Sequence, residues 1–138
     1  MFSKRILLAA PLALLVPTAW ADTPAFQVGQ IWSLKAPEYP HARVRVGRVE
    51  GSTIHISLWG IPSPFPSADE NSFVASHLPV SAPALAQSVE QLVQDTPPDN
   101  LGFEDGYQTW RREANGAAFT ITVPEIIEVI YQSVRSSQ

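Results

Sequence analysis

The stretch RVRVGRVEGSTIHISLW, residues 43–59, decides the fold of this chain. In each half of the stretch, apolar residues occupy every second position, which is the period of a β-strand with one buried face. The sequence Glu50-Gly51-Ser52 between the two halves is typical of a tight turn. We therefore predict an antiparallel hairpin with strands over residues 43–49 and 53–59.

The alternation in the first of these strands changes phase at Gly47. Val46 and Val49 have opposite parity, so a regular strand would point them to opposite faces of the sheet. One extra residue in the strand would restore the register, and glycine is common where a strand bulges. We predict a β-bulge at Gly47.

Further segments extend the sheet on both sides of the hairpin. Residues 30–35 lie between Gly29 and Pro37 and predict a strand that completes a three-stranded antiparallel meander. Residues 73–80 have extended character and predict a fourth strand, which carries His77. Residues 118–121 predict a late strand.

Three segments have helical signals. Ser81 is a suitable N-cap for a helix over residues 81–94, whose apolar residues recur at helical spacing. A second, shorter helix is predicted over residues 105–114. Thr122 and Glu125 match a capping box, which predicts the start of a last helix.

These signals place the chain in the α+β class. The expected architecture is a small antiparallel sheet of three to five strands packed with two or three helices. We expect a single globular domain over residues 22–138, following a leader over residues 1–21.

The leader has the order of a secretory signal peptide. Lys4 and Arg5 precede an apolar run of 11 residues, and Ala19-Trp20-Ala21 fits the small-residue cleavage pattern. The apolar run is shorter than the ~20 residues that cross a bilayer as a helix. We expect cleavage after Ala21, a periplasmic or secreted location, and no stable membrane insertion after cleavage.

The composition limits the classes of partner. Loss of the leader would leave seven basic residues against all 13 acidic ones, a net charge of −6. A negative surface disfavours nucleic acid and anionic lipid as partners. The chain has no cysteine, so neither a disulfide nor a thiol nucleophile is available.

Several motifs together resemble those of a group of small exported bacterial proteins of unknown function. The first is Val28-Gly29-Gln30-Ile31-Trp32-Ser33-Leu34-Lys35, similar to the group's G-Q-x-W-x-[YL]-K strand. The others are Ile54-His55-Ile56, His77-Leu78-Pro79 and Phe119-Thr120-Ile121-Thr122-Val123. The resemblance covers nearly all of the chain after the leader and implies the order of elements, without an activity or a ligand.

The common catalytic motifs are absent from the sequence. It contains no G-x-S-x-G nucleophile elbow and neither H-E-x-x-H nor H-x-x-x-H. Glu104 and Asp105 lie near a predicted helix start, where the helix dipole favours acids for structural reasons. We expect no cofactor and no bound metal.

Two histidines leave an alternative open. His55 and His77 meet if their strands pair, and Asp69 or Glu70 would then complete a metal-dependent or hydrolytic site. In the other interpretation, His55 lies on the solvent-facing side of its strand and His77 lies in an edge strand.

The segment over residues 60–72 is the strongest candidate for a binding surface. Prolines alternate with other residues from Pro62 to Pro66, which fixes an extended path. Rigid aromatic side chains beside such an arm lose little entropy on docking. The candidate binding residues are Trp59, Phe65, Arg43, Arg45 and His55. Alternatively, Trp59 and Phe65 fold back to cover the core.

The sequence as a whole favours a non-catalytic exported binding protein. Its partner would be another protein or an envelope component, and a role as an inhibitor or immunity protein fits a small, acidic, cysteine-free domain. One alternative is a small metal-dependent or hydrolytic periplasmic enzyme. Another is a structural accessory of an envelope assembly that docks through the proline-rich segment.

Overall fold

The computed structural model describes residues 25–65 and 69–137, so the predicted leader lies outside the described residues. The described chain forms five strands and three helices. In chain order these are β1 (Ile31–Leu34), β2 (Arg43–Glu50), β3 (Thr53–Ile61), β4 (Phe73–Ser81), α1 (Ala82–Ser88), β5 (Val89–Leu92), α2 (Phe103–Glu113) and α3 (Val123–Ser136). The expected α+β fold, a single small domain, is confirmed.

All five strands belong to one antiparallel sheet of order β4-β3-β2-β1-β5. The predicted meander is its centre, and the predicted fourth strand forms one edge. The β-bulge at Gly47 is confirmed, because the register of β2 with β3 shifts between Val46 and Arg48. A Cβ on Gly47 would lie 2.5 Å from the ring of Phe103, so glycine also leaves room for the first residue of α2.

The predicted helix over residues 81–94 is confirmed in its first half and wrong in its second half. Its start is confirmed, since the Ser81 side chain accepts a hydrogen bond from the backbone N–H of Ala84. The helix ends at Ser88, however, and the next four residues form β5 against β1. Without β5, β1 would be an unpaired edge, and ladder hydrogen bonds to a distant partner outweigh the helical spacing of the apolar residues.

The late strand predicted over residues 118–121 is also wrong as a strand. Phe119 forms only an isolated parallel bridge with Val80 at the outer edge of β4. Its N–H donates to the carbonyl of Pro79, and its carbonyl accepts from the N–H of Ser81, both at 2.8 Å. The segment stays short because α3 begins at Val123, with the predicted capping box of Thr122 and Glu125 in place.

The two faces of the sheet are covered by different helices. On one face, the valines, isoleucines and leucines of β2 to β4 pack with residues of α1 and α3 in a single apolar core. The opposite face carries cross-strand neighbours with polar side chains or rings: Arg43 beside Trp59, Arg45 beside Ser57 and Arg48 beside His55. Helix α2 packs on β3 and β4 at this second face.

None of the helices in the described part of the chain is long and apolar enough to cross a membrane.

Candidate functional site

The candidate site lies where α2 covers the second face of the sheet. His55 of β3 and His77 of β4 are brought together by the pairing of these two strands. The bulge in β2 brings Arg48 opposite His55, and β2 ends at Glu50 beside the β2–β3 turn. The hairpin therefore supplies charged side chains to a pair of histidines.

The two histidine rings are in direct contact. Nδ1 of His55 lies 2.8 Å from Nε2 of His77, and the ring planes differ by only 18°. The other ring nitrogen of His55, Nε2, lies 2.9 Å from Oε1 of Glu50. The second carboxylate oxygen of Glu50 accepts a hydrogen bond from the hydroxyl of Tyr107. The result is one connected chain of four side chains.

The hydrogen-bond chain determines the tautomers of both neutral histidines. An ionised carboxylate only accepts, so Nε2 of His55 carries a hydrogen and donates it to Glu50. Nδ1 of neutral His55 is then an acceptor, and Nε2 of His77 must donate to it. Donation therefore runs from His77 through His55 to Glu50, and Nδ1 of His77 is left as a free base.

Helix α2 covers this chain with aromatic rings. The centroids of Trp110 and Tyr107 lie 4.5 Å and 5.0 Å from that of His55, both edge to face. Phe103 lies 5.5 Å from His77 in the same arrangement. The guanidinium of Arg48 lies over the Tyr107 ring, 4.1 Å from its centroid. His55 is fully buried as a result, and His77 is partly buried.

Burial keeps both histidines neutral. It lowers the pKa of His77 to about 4, with the nearby His55 adding to the effect. Burial also lowers the pKa of His55, against the attraction of Glu50. The hydrogen bond from Tyr107 lowers the pKa of Glu50, and the same bond raises the pKa of Tyr107.

Of the two interpretations left open by the sequence, the structure supports the one in which His55 and His77 meet, but the carboxylate that binds His55 is not one of those considered. Glu50 takes the place considered for Asp69 or Glu70. Across residues 25–65 and 69–137, no group of three or more His, Cys, Asp or Glu side chains could hold a metal ion. The two facing nitrogens are hydrogen-bonded to each other, and Glu50 extends this contact into a hydrogen-bond chain.

Four of the five candidate binding residues share the second face of the sheet, where Arg43 is the cross-strand neighbour of Trp59, and Phe65 lies beyond the end of β3. His55 is 0% exposed, so the interpretation that places it on a solvent-facing side is wrong, and Trp59, at 8% exposure, is buried, as in the alternative to a binding role. The reason is that the second face of the sheet is covered rather than solvated. Arg43 forms an ion pair with Asp95 at 3.3 Å, and Arg45 is partly buried next to Ser57. Phe65 is the exception.

Phe65 is exposed and stands on an anchored arm, residues 62–65. Its side chain is 48% exposed. At the base of the arm, Gly60 has φ +82°, and a Cβ there would overlap the carbonyl oxygen of His41. The hydroxyl of Tyr131 in α3 donates to the carbonyl of Pro62, and Ser63 accepts from the N–H of Phe65 at 3.0 Å.

Comparison of the chain with models of protein families, with curated proteins and with solved structures finds no match. The resemblance to small exported bacterial proteins therefore stays a prediction.

Proposed function

We propose that this protein is an exported, non-catalytic binding module that recognises another protein or an envelope component through Phe65 and its arm. The observation that carries the proposal is the exposure of a large aromatic ring on a segment that is fixed to the domain. Aromatic side chains dominate the energetics of interfaces, because they bury a large apolar area with few rotatable bonds.

The anchoring of the arm supports this role. Proline has a fixed φ, so Pro62 and Pro64 restrict the main chain of the arm before a partner arrives, although the arm bends at Pro64 and Phe65 rather than staying extended as predicted. The hydrogen bond from Tyr131 fixes the arm to α3, and Gly60 fixes the point where it leaves β3. A segment that is already ordered before binding loses little conformational entropy when the complex forms. More of the free energy of its contacts therefore remains as affinity.

The charge of the protein indicates the chemistry of the partner. With the leader removed, the chain has a net charge of −6, and Asp69 and Glu70 follow the arm closely in sequence. A partner with an apolar pocket inside a basic rim would match both features. An inhibitor or immunity protein of the periplasm fits this description, and so does a structural accessory of an envelope assembly.

Recovery of partners from an envelope extract tests the proposal. The variant Phe65→Ala removes the ring, and Leu92→Ala is the matched control, because Leu92 is an apolar side chain with 55% exposure on β5. We expect Phe65→Ala to reduce recovery of the partner about tenfold or more, as loss of an interface anchor does, and Leu92→Ala to have little effect. Equal recovery with both variants, each with an unchanged melting temperature, would contradict the role of the arm.

A second candidate function, hydrolysis, depends on the hydrogen-bonded side chains of Glu50, His55 and His77. A carboxylate that orients a histidine is a feature of hydrolytic sites, and the terminal base here is Nδ1 of His77. Trp110 and Pro79, which adjoin His55, also line a largely apolar cleft of about 280 Å³. In this function His77→Gln would abolish hydrolysis of small esters, and Phe65→Ala would leave it unchanged. Absence of hydrolysis by the unmodified protein would exclude it.

A further inference from the structure

The contact between the two histidines has room for only one hydrogen. At 2.8 Å, Nδ1 of His55 and Nε2 of His77 share a single N–H···N bond. The neutral pair satisfies this limit, because His77 donates and His55 accepts.

One added proton is compatible with the same contact. It binds Nδ1 of His77, because the other ring nitrogen, Nε2, already donates to His55. Transfer of the shared hydrogen from His77 to His55 then places the positive charge next to the carboxylate of Glu50. Every hydrogen bond that connects His77, His55, Glu50 and Tyr107 remains intact after this step.

A second proton is not compatible with it. With both rings fully protonated, each of the two facing nitrogens carries its own hydrogen, and two donors cannot stay 2.8 Å apart. Two buried positive charges also lie next to one carboxylate. The rings must then separate.

The other charged groups around the pair do not remove this conflict. On β2, Glu50 favours protonation and Arg48 opposes it. On α2, Arg111 lies near Tyr107, and Glu104 pairs with Arg48 at 3.7 Å. Strands β3 and β4 carry no charged or titratable side chains besides the two histidines.

Helix α2 is the element that separation of the rings would displace. It contacts the pair through Phe103, Tyr107 and Trp110, and a Cβ on Gly106 would lie only 2.7 Å from Cβ of His77. The main apolar core lies on the other face of the sheet and contains no residue of α2. We infer that His55 and His77 form an acid-sensitive switch that releases α2 from the sheet when the pair takes up its second proton, with the sheet, α1 and α3 remaining folded.

Amide hydrogen exchange followed by NMR tests this inference. As the pH falls from about 7 to below about 4, the value to which burial lowers the pKa of His77, we expect protection in α2 to fall about tenfold or more relative to protection in α3. Equal and simultaneous loss of protection in the two helices would overturn the inference, because α2 would then unfold only with the whole domain.

The variant His77→Gln is the matched control. Its amide nitrogen can donate to Nδ1 of His55 as His77 does, and the amide can turn to accept when His55 becomes protonated. The glutamine side chain takes up no proton, so the variant cannot reach the state with two opposed donors, and we expect its α2 to stay protected at a pH where α2 is released in the unmodified protein. Release of α2 at the same pH in both proteins would overturn the inference.

A measurement on the unmodified protein does not depend on the folding of any variant. Nitrogen-15 spectra of the imidazole rings report which nitrogens carry hydrogen. At neutral pH we expect His77 protonated only at Nε2 and His55 only at Nε2. A neutral His77 that carries its hydrogen at Nδ1 would overturn the inference, since the shared hydrogen would then have to come from His55. The readout needs neither a partner nor a substrate, so failure of the proposed function would leave its result unchanged.

Discussion

Helix propensity and packing give opposite expectations for the effect of Gly106→Ala on stability. In an exposed helix interior, replacing glycine by alanine stabilises the helix by about 1 kcal/mol. Here the new Cβ would lie 2.7 Å from Cβ of His77 and 3.6 Å from Oγ of Ser76. Carbon atoms in contact prefer about 3.5–4.0 Å, so α2 must move outward by about 1 Å.

Packing should outweigh propensity at this position. Over-packing costs about 1–3 kcal/mol, and a gap of about 1 Å weakens the dispersion contacts of Phe103, Tyr107 and Trp110 with the histidines. After the gain in propensity, we expect Gly106→Ala to lower the free energy of unfolding by about 1–2 kcal/mol.

Urea denaturation followed by circular dichroism measures this change, with Thr109→Ala as the control. Thr109 lies on the exposed side of the same helix, so its replacement by alanine should be neutral or slightly stabilising. Stabilisation of Gly106→Ala by about 1 kcal/mol would refute the reasoning, because α2 would then not be in close contact with β4.

Three other changes test separate parts of the fold. Ser88→Ala removes a buried hydroxyl that donates to the carbonyl of Ala84 at 2.7 Å and accepts from the N–H of Val123 at 2.9 Å. It should lower the free energy of unfolding by about 1–3 kcal/mol, measured by urea denaturation, whereas a neutral result would contradict the double hydrogen bond. Thr122→Ala removes the N-cap of α3 and should lower the melting temperature through a loss of about 1 kcal/mol; no change would mean that the capping box does not stabilise α3. The pH dependence follows from His77, whose pKa is lowered from 6.5 to about 4 on folding. The unfolded chain therefore binds the proton more readily, and stability is complete above pH 6.5 and decreases as the pH falls towards 4. The whole pKa shift would correspond to about 3 kcal/mol of stability. Because His77 is partly exposed, we expect a smaller loss of about 1–2 kcal/mol. Urea denaturation across this range measures it, and stability that does not change with pH would contradict the lowered pKa.

Local patterns were sufficient to predict the central part of the fold. The meander, the bulge at Gly47 and the capping box of Thr122 each depend on residues that are close in sequence. Strand β5 was missed because its partner is distant, as the hydrogen bonds between Ser33 and Gln91, 58 positions apart, illustrate. A pairing of this kind leaves no local signal, and the helical spacing around Leu85 and Val89 was stronger.

The site was only partly predictable for a related reason. Alternation correctly placed His55 opposite the apolar core, and the polar character of that face indicated solvent. The missing observation is that Tyr107 and Trp110, three positions apart in the predicted helix over residues 105–114, lie on one side of it and require an apolar surface to cover. A sheet face that bears two histidines and Trp59 was available for them. Glu50 was assigned to the turn, and nothing in its immediate sequence connects it with Tyr107.

The shortness of α1 limits how far apart the two edges of the sheet can lie at the point where it joins them. This helix directly joins β4 and β5, which form opposite edges of the sheet. Five strands laid flat would separate those edges by four spacings of ~4.8 Å, about 19 Å in all. The seven residues of the helix extend about 10 Å. The sheet must therefore twist or bend enough to bring the end of β4 close to the start of β5. A domain without disulfide cross-links thereby holds both of its outer strands in place with one short connection.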